Sequence, residues 1–250
     1  MRNILITGAS QGIGKATAIE AAKAQMFVGI NYNQNLEAAE ECLKLVRGSG
    51  GDGIILQCDV AKNKSVKDMF NEFLEKAGTI DGVFNNAGVT GPISQIQDLS
   101  PDDLKMVIDT NISGAFYVAQ ESAKVMIAQK SGTIVNMSSI AADIGGGGEF
   151  VHYAMSKGAI HSLTYGMAKE LGKFGIRVNA VAPGLIDTEI HAKAGDASRV
   201  DRLMPSVPLG RIGGADEVAK TVMWLLSEES SYVSGSVVPV SYTHLTLPTN

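Results

Sequence analysis

The sequence is poor in the residues that mark several classes of protein. Cys42 and Cys58 are the only cysteines among 250 residues. Two cysteines are too few for a disulfide framework, and their spacing matches no zinc site, which favours a reducing compartment. Aromatic residues make up 6%, and 21 Lys and Arg stand against 26 Asp and Glu, a net charge of −5. Because nucleic-acid binding draws on a basic surface and on aromatic stacking, the composition argues against a nucleic-acid partner.

Long apolar runs are missing as well. The first apolar run, Ile4–Ile6, is far too short for a signal peptide. No stretch approaches the ~18 apolar residues that a transmembrane helix requires. The four histidines form no ligand cluster in the sequence. We therefore expect a cytoplasmic protein that uses neither a membrane nor a metal ion.

Glycine is abundant, with 28 of 250 residues, above the usual ~7%. Between the glycines, short apolar segments alternate with segments of helical period. The pattern predicts strands over residues 3–7, 26–32, 54–60, 82–86, 132–138, 177–182 and 236–240. It predicts helices over residues 15–25, 36–47, 65–77, 152–174 and 217–226, with one or two more within 101–128. This alternation indicates an α/β fold, a Rossmann-type doubly wound, mostly parallel seven-stranded sheet with helices on both faces, as one domain over residues 1–240.

A glycine-rich turn follows the first predicted strand and opens the first helix. Residues 7–14 read TGASQGIG, with glycines at positions 8, 12 and 14. Such a turn lets backbone N–H groups approach a diphosphate, and the helix N-terminus adds a favourable dipole. The turn therefore predicts a dinucleotide site, with a purely structural turn as the alternative.

Tyr153 and Lys157 lie four residues apart in a predicted helix, so their side chains share one face. A phenol with its usual pKa of about 10 is a poor proton donor near neutrality, and a nearby cation lowers that pKa. The pair suits a general acid for carbonyl reduction or a base for alcohol oxidation. It begins just after residues 145–148, a glycine run that we expect to be a mobile loop. A solvated helix face is the alternative interpretation.

An ordered set of motifs resembles the short-chain dehydrogenase/reductase family. The motifs are the turn at residues 7–14, Asn85-Asn86-Ala87-Gly88, Asn111, Ser138-Ser139, Tyr153 with Lys157, and Pro183-Gly184 with Thr188. They span residues 4–188, and the resemblance continues to about Val240. Within the family, the chain is most similar to the branch of 3-oxoacyl-acyl-carrier-protein reductases and glucose-dehydrogenase-like reductases.

The resemblance implies a role for each matching residue. Tyr153 is then the catalytic acid/base, and Lys157 binds the nicotinamide ribose and lowers the pKa of the tyrosine. Ser139, in preference to Ser138, holds the substrate oxygen. Asn111 kinks its helix and holds a water of a proton relay. The implied cofactor-binding residues are Gly8, Ser10, Gln11, Gly12, Ile13, Gly14, Asn31, Tyr32, Asn33, Asp59, Val60, Asn86, Ala87, Gly88, Tyr153, Lys157, Pro183, Gly184, Ile186 and Thr188.

The end of the second predicted strand bears on the choice of cofactor. Residues 30–35 read INYNQN. They hold no acid to select the ribose 2′-hydroxyl of NAD, and no Arg or Lys to grip a 2′-phosphate. Ser10, Asn31 and Asn33 are neutral donors for such a phosphate, weaker than a bidentate arginine. We favour NADP(H), with NAD(H) as the alternative.

The sequence leaves the substrate open among acyl thioesters, sugars, steroids and simple ketones. It predicts a small-molecule carbonyl or alcohol substrate, with residues 91–99, 141–151 and 188–209 forming the pocket. His191, in the last of these segments, is a candidate substrate contact, whereas we expect a surface or packing role for His152 and a helix-surface position for His161. An NAD-dependent alcohol or sugar dehydrogenase, a non-catalytic cofactor sensor, and a lyase or epimerase are the alternatives. The complete set Ser139, Tyr153, Lys157 and Asn111 speaks against the sensor, which needs no proton donor.

The helix with Tyr153 also bears on assembly. It carries an apolar stripe of Leu163, Met167 and Leu171. The stripe is interpreted as intrachain core, and the resemblance adds pairing with a second copy in a homodimer or homotetramer. Residues 241–250, SYTHLTLPTN, depart from the family's usual ending, and we interpret them as an atypical, non-native tail.

Overall fold

The computed structural model describes residues 2–189, 195–196 and 198–241. Its sheet has the order β3-β2-β1-β4-β5-β6-β7, and every neighbouring pair is parallel. The strands are β1 Asn3–Ile6, β2 Phe27–Tyr32, β3 Asp52–Gln57, β4 Gly82–Asn85, β5 Gly132–Met137, β6 Ile176–Pro183 and β7 Val237–Val240. This arrangement confirms the predicted Rossmann-type fold.

Helices connect the strands across both faces of the sheet. They are α1 Gly12–Lys23, α2 Leu36–Gly48, α3 Asn63–Ala77, α4 Pro101–Val107, α5 Ala115–Gln129, α6 Ala141–Ile144, α7 Val151–Leu171, α8 Arg199–Leu203 and α9 Ala215–Leu226. A π-helical segment, Ile108–Gly114, joins α4 to α5. Within the described part of the chain, no helix is long and apolar enough to cross a bilayer.

The two faces of the sheet carry separate cores because successive side chains of a strand point to opposite sides. Ile4 and Ile6 belong to one cluster, which α1 and α9 cover. Leu5, between them, belongs to the other, with residues of α3, α5 and α7. Met167 and Leu171 pack into this second core, which confirms the intrachain interpretation for these two residues.

The predicted bounds of β3, residues 54–60, were wrong. β3 begins and ends earlier than predicted, because its register against β2 pairs Phe27 with Asp52 and Tyr32 with Gln57. Asp59 then caps a turn, since its carboxylate accepts from the N–H of Ala61 at 3.1 Å. The region 101–128, predicted to hold one or two helices, holds α4 and most of α5, which the π-helical segment joins. The short helices α6 and α8 were not predicted.

The sheet order reverses between β1 and β4, the neighbours at its centre. Ligands of doubly wound sheets bind outside the carboxyl ends of the strands at such a point. The loops that follow β1 and β4 begin at residues 7 and 86. The fold therefore places the glycine-rich turn and the Asn86–Gly88 motif side by side.

Candidate active site

The glycine-rich turn has the backbone that its sequence predicts. Gly8 and Gly12 have φ values of +63° and +53°, in the left-handed region where glycine is favoured. A Cβ on Gly14 would collide with the carbonyl oxygen of Gly8. Helix α1 starts at Gly12, its N-cap residue Gln11 makes no side-chain capping bond, and its first turn holds no acid. These features fit a dinucleotide diphosphate above the N-terminus of α1.

Hydrogen bonds connect this turn to the loop after β4. Thr7 Oγ1 accepts from the N–H of Asn86 at 2.9 Å and from that of Ala87 at 3.0 Å. The amide of Asn86 donates back to the carbonyls of Thr7 and Gly8 at 2.7 and 3.1 Å. Asn86 thus positions the turn through its side chain, which supports the predicted place of Asn86 beside the cofactor.

The position of Asn31 changes its predicted role. Its side chain is buried, and its Oδ1 accepts from the N–H of Gly8 at 3.0 Å. Its Nδ2 donates to the carbonyls of Leu56 and Cys58 at 3.2 and 3.1 Å. Because both amide hydrogens serve the backbone, Asn31 does not donate to a phosphate as we expected. It instead joins the glycine-rich turn to β2 and β3.

The other predicted cofactor residues border the same crevice. Tyr32 ends β2, and Asn33 is exposed just beyond it. Asp59 is half-buried, and Val60 packs against Gly114 of the π-helical segment. Of the residues after β6, Gly184 donates to the carbonyl of Val240 at 3.1 Å, Ile186 bridges to Gly213, and Thr188 faces Gly12. Residues 183–188 therefore lie across the crevice from the glycine-rich turn.

Tyr153, Lys157 and Ser139 converge at the carboxyl end of β5. Lys157 Nζ lies 5.5 Å from the centre of the Tyr153 ring and donates to the carbonyl oxygen of Met137 at 2.8 Å. Ser139 lies near enough to the Tyr153 phenol to lower its pKa, and its hydroxyl accepts from the N–H of Ala141 at 3.1 Å. The shared helix face predicted for Tyr153 and Lys157 is confirmed.

Burial controls the electrostatics of this cluster. It lowers the pKa of the Lys157 ammonium to about 8. It also raises the pKa of the Tyr153 phenol, against the lowering effects of the Ser139 hydrogen bond and of the Arg199 charge. We expected Lys157 to lower the pKa of the tyrosine. The net direction is the reverse, because removing the phenolate from water outweighs the charges around it.

Asn111 lies buried in the π-helical segment, which agrees with the kink expected there. Its Oδ1 accepts from the N–H of Val89 at 2.8 Å, and its Nδ2 donates to the carbonyl of Val89 at 2.7 Å and to Ser156 Oγ at 3.0 Å. A Cβ on Gly88 would lie 3.1 Å from Asn111 Oδ1 and 3.5 Å from Lys157 Nζ. Asn111 therefore positions the loop after β4 beside the buried lysine.

Sequence reasoning missed Ser156, which belongs to the same network. Its hydroxyl donates to the carbonyl of Tyr153 at 2.7 Å. Its position between Tyr153 and Lys157, one residue before the lysine, is the signal that could have found it. Ser138, which we ranked below Ser139, is buried, and its hydroxyl donates to the carbonyl of Lys157 at 3.2 Å. It supports the helix and does not reach the phenol.

The histidines of the site region differ in how far they are buried. His152 is buried, as a packing role predicts, and its Nε2 has no hydrogen-bond partner. His161, expected on the helix surface, is only slightly exposed, with Nδ1 3.9 Å from a carboxylate oxygen of Asp143. His191, which we considered as a substrate contact, lies outside the described residues. Among the described residues, no group of His, Cys, Asp and Glu side chains is placed to hold a metal ion.

Comparison with known proteins identifies the family. The family model described as "Enoyl-(Acyl carrier protein) reductase" matches residues 8–242. The chain is 41% identical over 240 residues to the uncharacterized oxidoreductase YgfF of Escherichia coli, covering 95% of this chain and 97% of YgfF. It is 34% identical over 242 residues to the 3-oxoacyl-[acyl-carrier-protein] reductase FabG of Staphylococcus aureus, covering 96% of both chains. The chain belongs to the short-chain dehydrogenase/reductase family.

Two solved structures of this family differ in their nucleotide. NAD+-bound xylitol dehydrogenase is 33% identical, with a TM-score of 0.89 over 97% of this chain and 98% of its own. Gluconate 5-dehydrogenase from Burkholderia cenocepacia, in complex with NADP and tartrate, is 34% identical, with a TM-score of 0.88 over 96% and 94%. The protein is therefore an NAD(P)-dependent oxidoreductase of the dehydrogenase/reductase type.

Proposed function

We propose that the protein interconverts a ketone and a secondary alcohol, with Tyr153 as general acid/base and NADPH-dependent reduction as the favoured direction. The observation that carries this proposal is the convergence of Tyr153, Ser139 and Lys157 at the end of β5. The cluster lies at the edge of the sheet that also holds the glycine-rich turn. A proton donor and a dinucleotide cradle on one edge are what hydride transfer requires of a protein.

A bound nicotinamide supplies the hydride to the carbonyl carbon, or accepts it from the alcohol. The protein handles the oxygen and its proton. Tyr153 Oη donates a proton to the oxygen as its negative charge grows, while the Ser139 hydroxyl stabilises that charge. The Lys157 ammonium stands 5.5 Å from the tyrosine ring, where its charge favours the phenolate left after donation.

The preference for NADP(H) rests on the loop after β2. Asn33, Gln34 and Asn35 are exposed there, with no acid among them, so nothing in this loop repels a 2′-phosphate. Ser10, half-exposed in the glycine-rich turn, remains a neutral donor for it. NAD(H) is the alternative, and the two related structures with bound nucleotide include both cofactors.

The first experiment is a fluorescence titration of the purified protein with NADPH and, separately, with NADH. It requires no knowledge of the substrate. We expect tighter binding of NADPH. Tighter binding of NADH would reverse the cofactor assignment and direct the substrate screen towards alcohol oxidation.

The second experiment tests Tyr153 directly. Because general acid catalysis contributes about 10² to 10⁴ in rate, Tyr153→Phe is expected to lower turnover of any ketone found in a screen by at least about 100-fold. NADPH binding should persist. Tyr165→Phe, an exposed tyrosine on the same helix, is the matched control and should keep full activity. More than about a tenth of wild-type activity in Tyr153→Phe would overturn the assignment, and a protein that binds NADPH but reduces no carbonyl would favour the cofactor-sensor alternative.

The proposed partners are a small carbonyl or alcohol substrate and a second copy of the chain. On the outer faces of α5 and α7, which pack against each other, Phe116, Met155 and Tyr165 are each at least half exposed. Gly158 and Gly166 carry no side chain, and a Cβ at either position would meet no neighbouring atom. This apolar face with small residues suits close helix packing in a homodimer or homotetramer.

A further inference from the structure

Helix α8 is held against the glycine-rich run by a cluster of charges. Arg199 Nε donates to Glu149 Oε2 at 2.9 Å, and the Arg202 guanidinium donates to Glu149 Oε1 at 2.7 Å. Arg202 also contacts Asp196 at 2.9 Å. One carboxylate, Glu149, thus receives two arginines, and it lies four residues before Tyr153 in the chain. The ion pairs fix α8 next to the proposed proton donor.

The two arginines have different surroundings. The Arg199 side chain is 19% exposed, whereas that of Arg202 is 49% exposed. The Arg199 guanidinium carbon lies 5.1 Å from the centre of the Phe150 ring. The Phe150 ring in turn meets the Tyr153 ring edge-on, with centres 6.3 Å apart. The Phe150 ring therefore contacts both the Arg199 guanidinium and the Tyr153 ring.

We propose that Arg199 is a positioning residue of the active site, which Glu149 and Phe150 hold so that its positive charge acts on the Tyr153 phenol. The inference rests on the proposed role of Tyr153 as acid/base. Arg199 acts through Tyr153 and requires no contact with the substrate or the cofactor. Arg199 lies in α8 and Tyr153 in α7. The proposed proton donor therefore depends on two parts of the sequence that are more than 40 residues apart.

The other groups around Tyr153 do not duplicate this effect. Ser139 contributes a hydrogen bond that lowers the pKa of the phenol, and Arg199 contributes a charge that acts in the same direction. Lys157 lies on the phenol's own helix and loses charge readily, since burial lowers its pKa to about 8. The neighbour His152 also favours its neutral form, because burial lowers its pKa. An arginine side chain, by contrast, is not deprotonated in proteins.

The experiment measures ionisation of Tyr153 in the free protein, so it needs no substrate. The ultraviolet absorbance of phenolate is recorded immediately after rapid pH jumps, before unfolding, and the curve of Tyr153→Phe is subtracted to isolate Tyr153. Arg199→Gln is expected to raise the midpoint by up to about one pH unit, the low end of the effect of a neighbouring charge. Arg199→Lys keeps the charge and should stay near the wild-type midpoint.

Arg202→Gln is the matched control, because it removes the same charge from the same carboxylate at a more exposed position. Its midpoint should equal that of the wild type. Equal shifts in Arg199→Gln and Arg202→Gln, or a shift in Arg199→Lys as large as that in Arg199→Gln, would overturn the proposal. Failure of the proposed function would be detected in a different experiment. If Tyr153 is not the acid/base, Tyr153→Phe keeps its turnover, but the absorbance midpoints of the Arg199 variants do not change.

Discussion

Lys157 is the residue whose function conflicts most directly with stability. Its ammonium is buried, with a carbonyl oxygen 2.8 Å away. Removing a charge from water costs free energy that one hydrogen bond only partly offsets. The depressed pKa of Lys157, about 8, expresses that cost. The proposed role of Lys157 depends on its charge beside Tyr153, since an apolar side chain would avoid this cost.

This conflict gives a pH-dependent prediction. In the unfolded chain Lys157 returns to its ordinary pKa of about 10.4, so between pH 8 and 10.4 the unfolded state binds more protons and the free energy of unfolding rises with pH. Relative to Lys157→Met, wild-type stability should rise by about 3 kcal/mol from pH 7 to pH 10.5. At pH 7 the variant should be the more stable protein, and inactive.

Denaturant unfolding at a series of pH values measures this difference. Lys169→Met, at an exposed position of the same helix, is the control and should follow the wild type across the range. A constant difference between wild type and Lys157→Met at all pH values would contradict the buried-charge interpretation.

At the scale of elements, Asn31 holds together three parts of the nucleotide-binding half. One side chain bonds the glycine-rich turn and the carbonyls at the end of β3. Asn31→Ala should lower the free energy of unfolding by about 2–3 kcal/mol, because it leaves buried backbone groups without partners. NADPH binding should also weaken, since the N–H of Gly8 loses its acceptor.

Thermal unfolding and the NADPH titration test this prediction together. Asn33→Ala, two residues along and exposed, is the matched control and should change stability by less than about 0.5 kcal/mol. If Asn31→Ala were as stable as Asn33→Ala, the bracing role assigned to Asn31 would be wrong.

The elements also show where sequence reasoning succeeds and where it stops. The alternation of apolar and helical segments predicted all seven strands, and the i, i+4 spacing predicted the Tyr153–Lys157 face. The predicted end of β3 was wrong because Val60 is apolar and buried although the strand has already ended. In the sequence, an apolar residue that is buried in a loop cannot be told from one that is buried in a strand. The π-helical segment was not predicted because it differs from an α-helix in its backbone hydrogen bonds and not in the spacing of its apolar residues. Helix α8 is only five residues long, too short for a periodic signal.

At the scale of the whole molecule, the site is assembled from distant parts of the chain. The partners of Asn31 and of Asn111 are set by the tertiary fold, so no local pattern predicts them. The same holds for the approach of Arg199 to Tyr153. Residue types and order therefore predicted the motifs, whereas the hydrogen bonds that position the motifs required the structure.

The proposed self-association also belongs to this scale. Tyr165 is 51% exposed on α7, within the face formed with α5. Tyr165→Glu should convert a dimer or tetramer into smaller species, because it places a charge in an apolar interface. Light scattering coupled to size exclusion measures the mass. Leu45→Glu, at an exposed apolar position on α2, is the control, and equal masses for both variants would argue against this face as the interface.

Residues with different roles lie close together at the end of β2. Asn31 is buried and maintains the fold of the glycine-rich turn, while the side chains at 33–35 are exposed just beyond the same strand, where we propose that the ribose 2′-substituent is recognised. Mutations at the exposed positions leave the brace intact. The proposed choice between NADPH and NADH can therefore change through surface substitutions that cost the fold little.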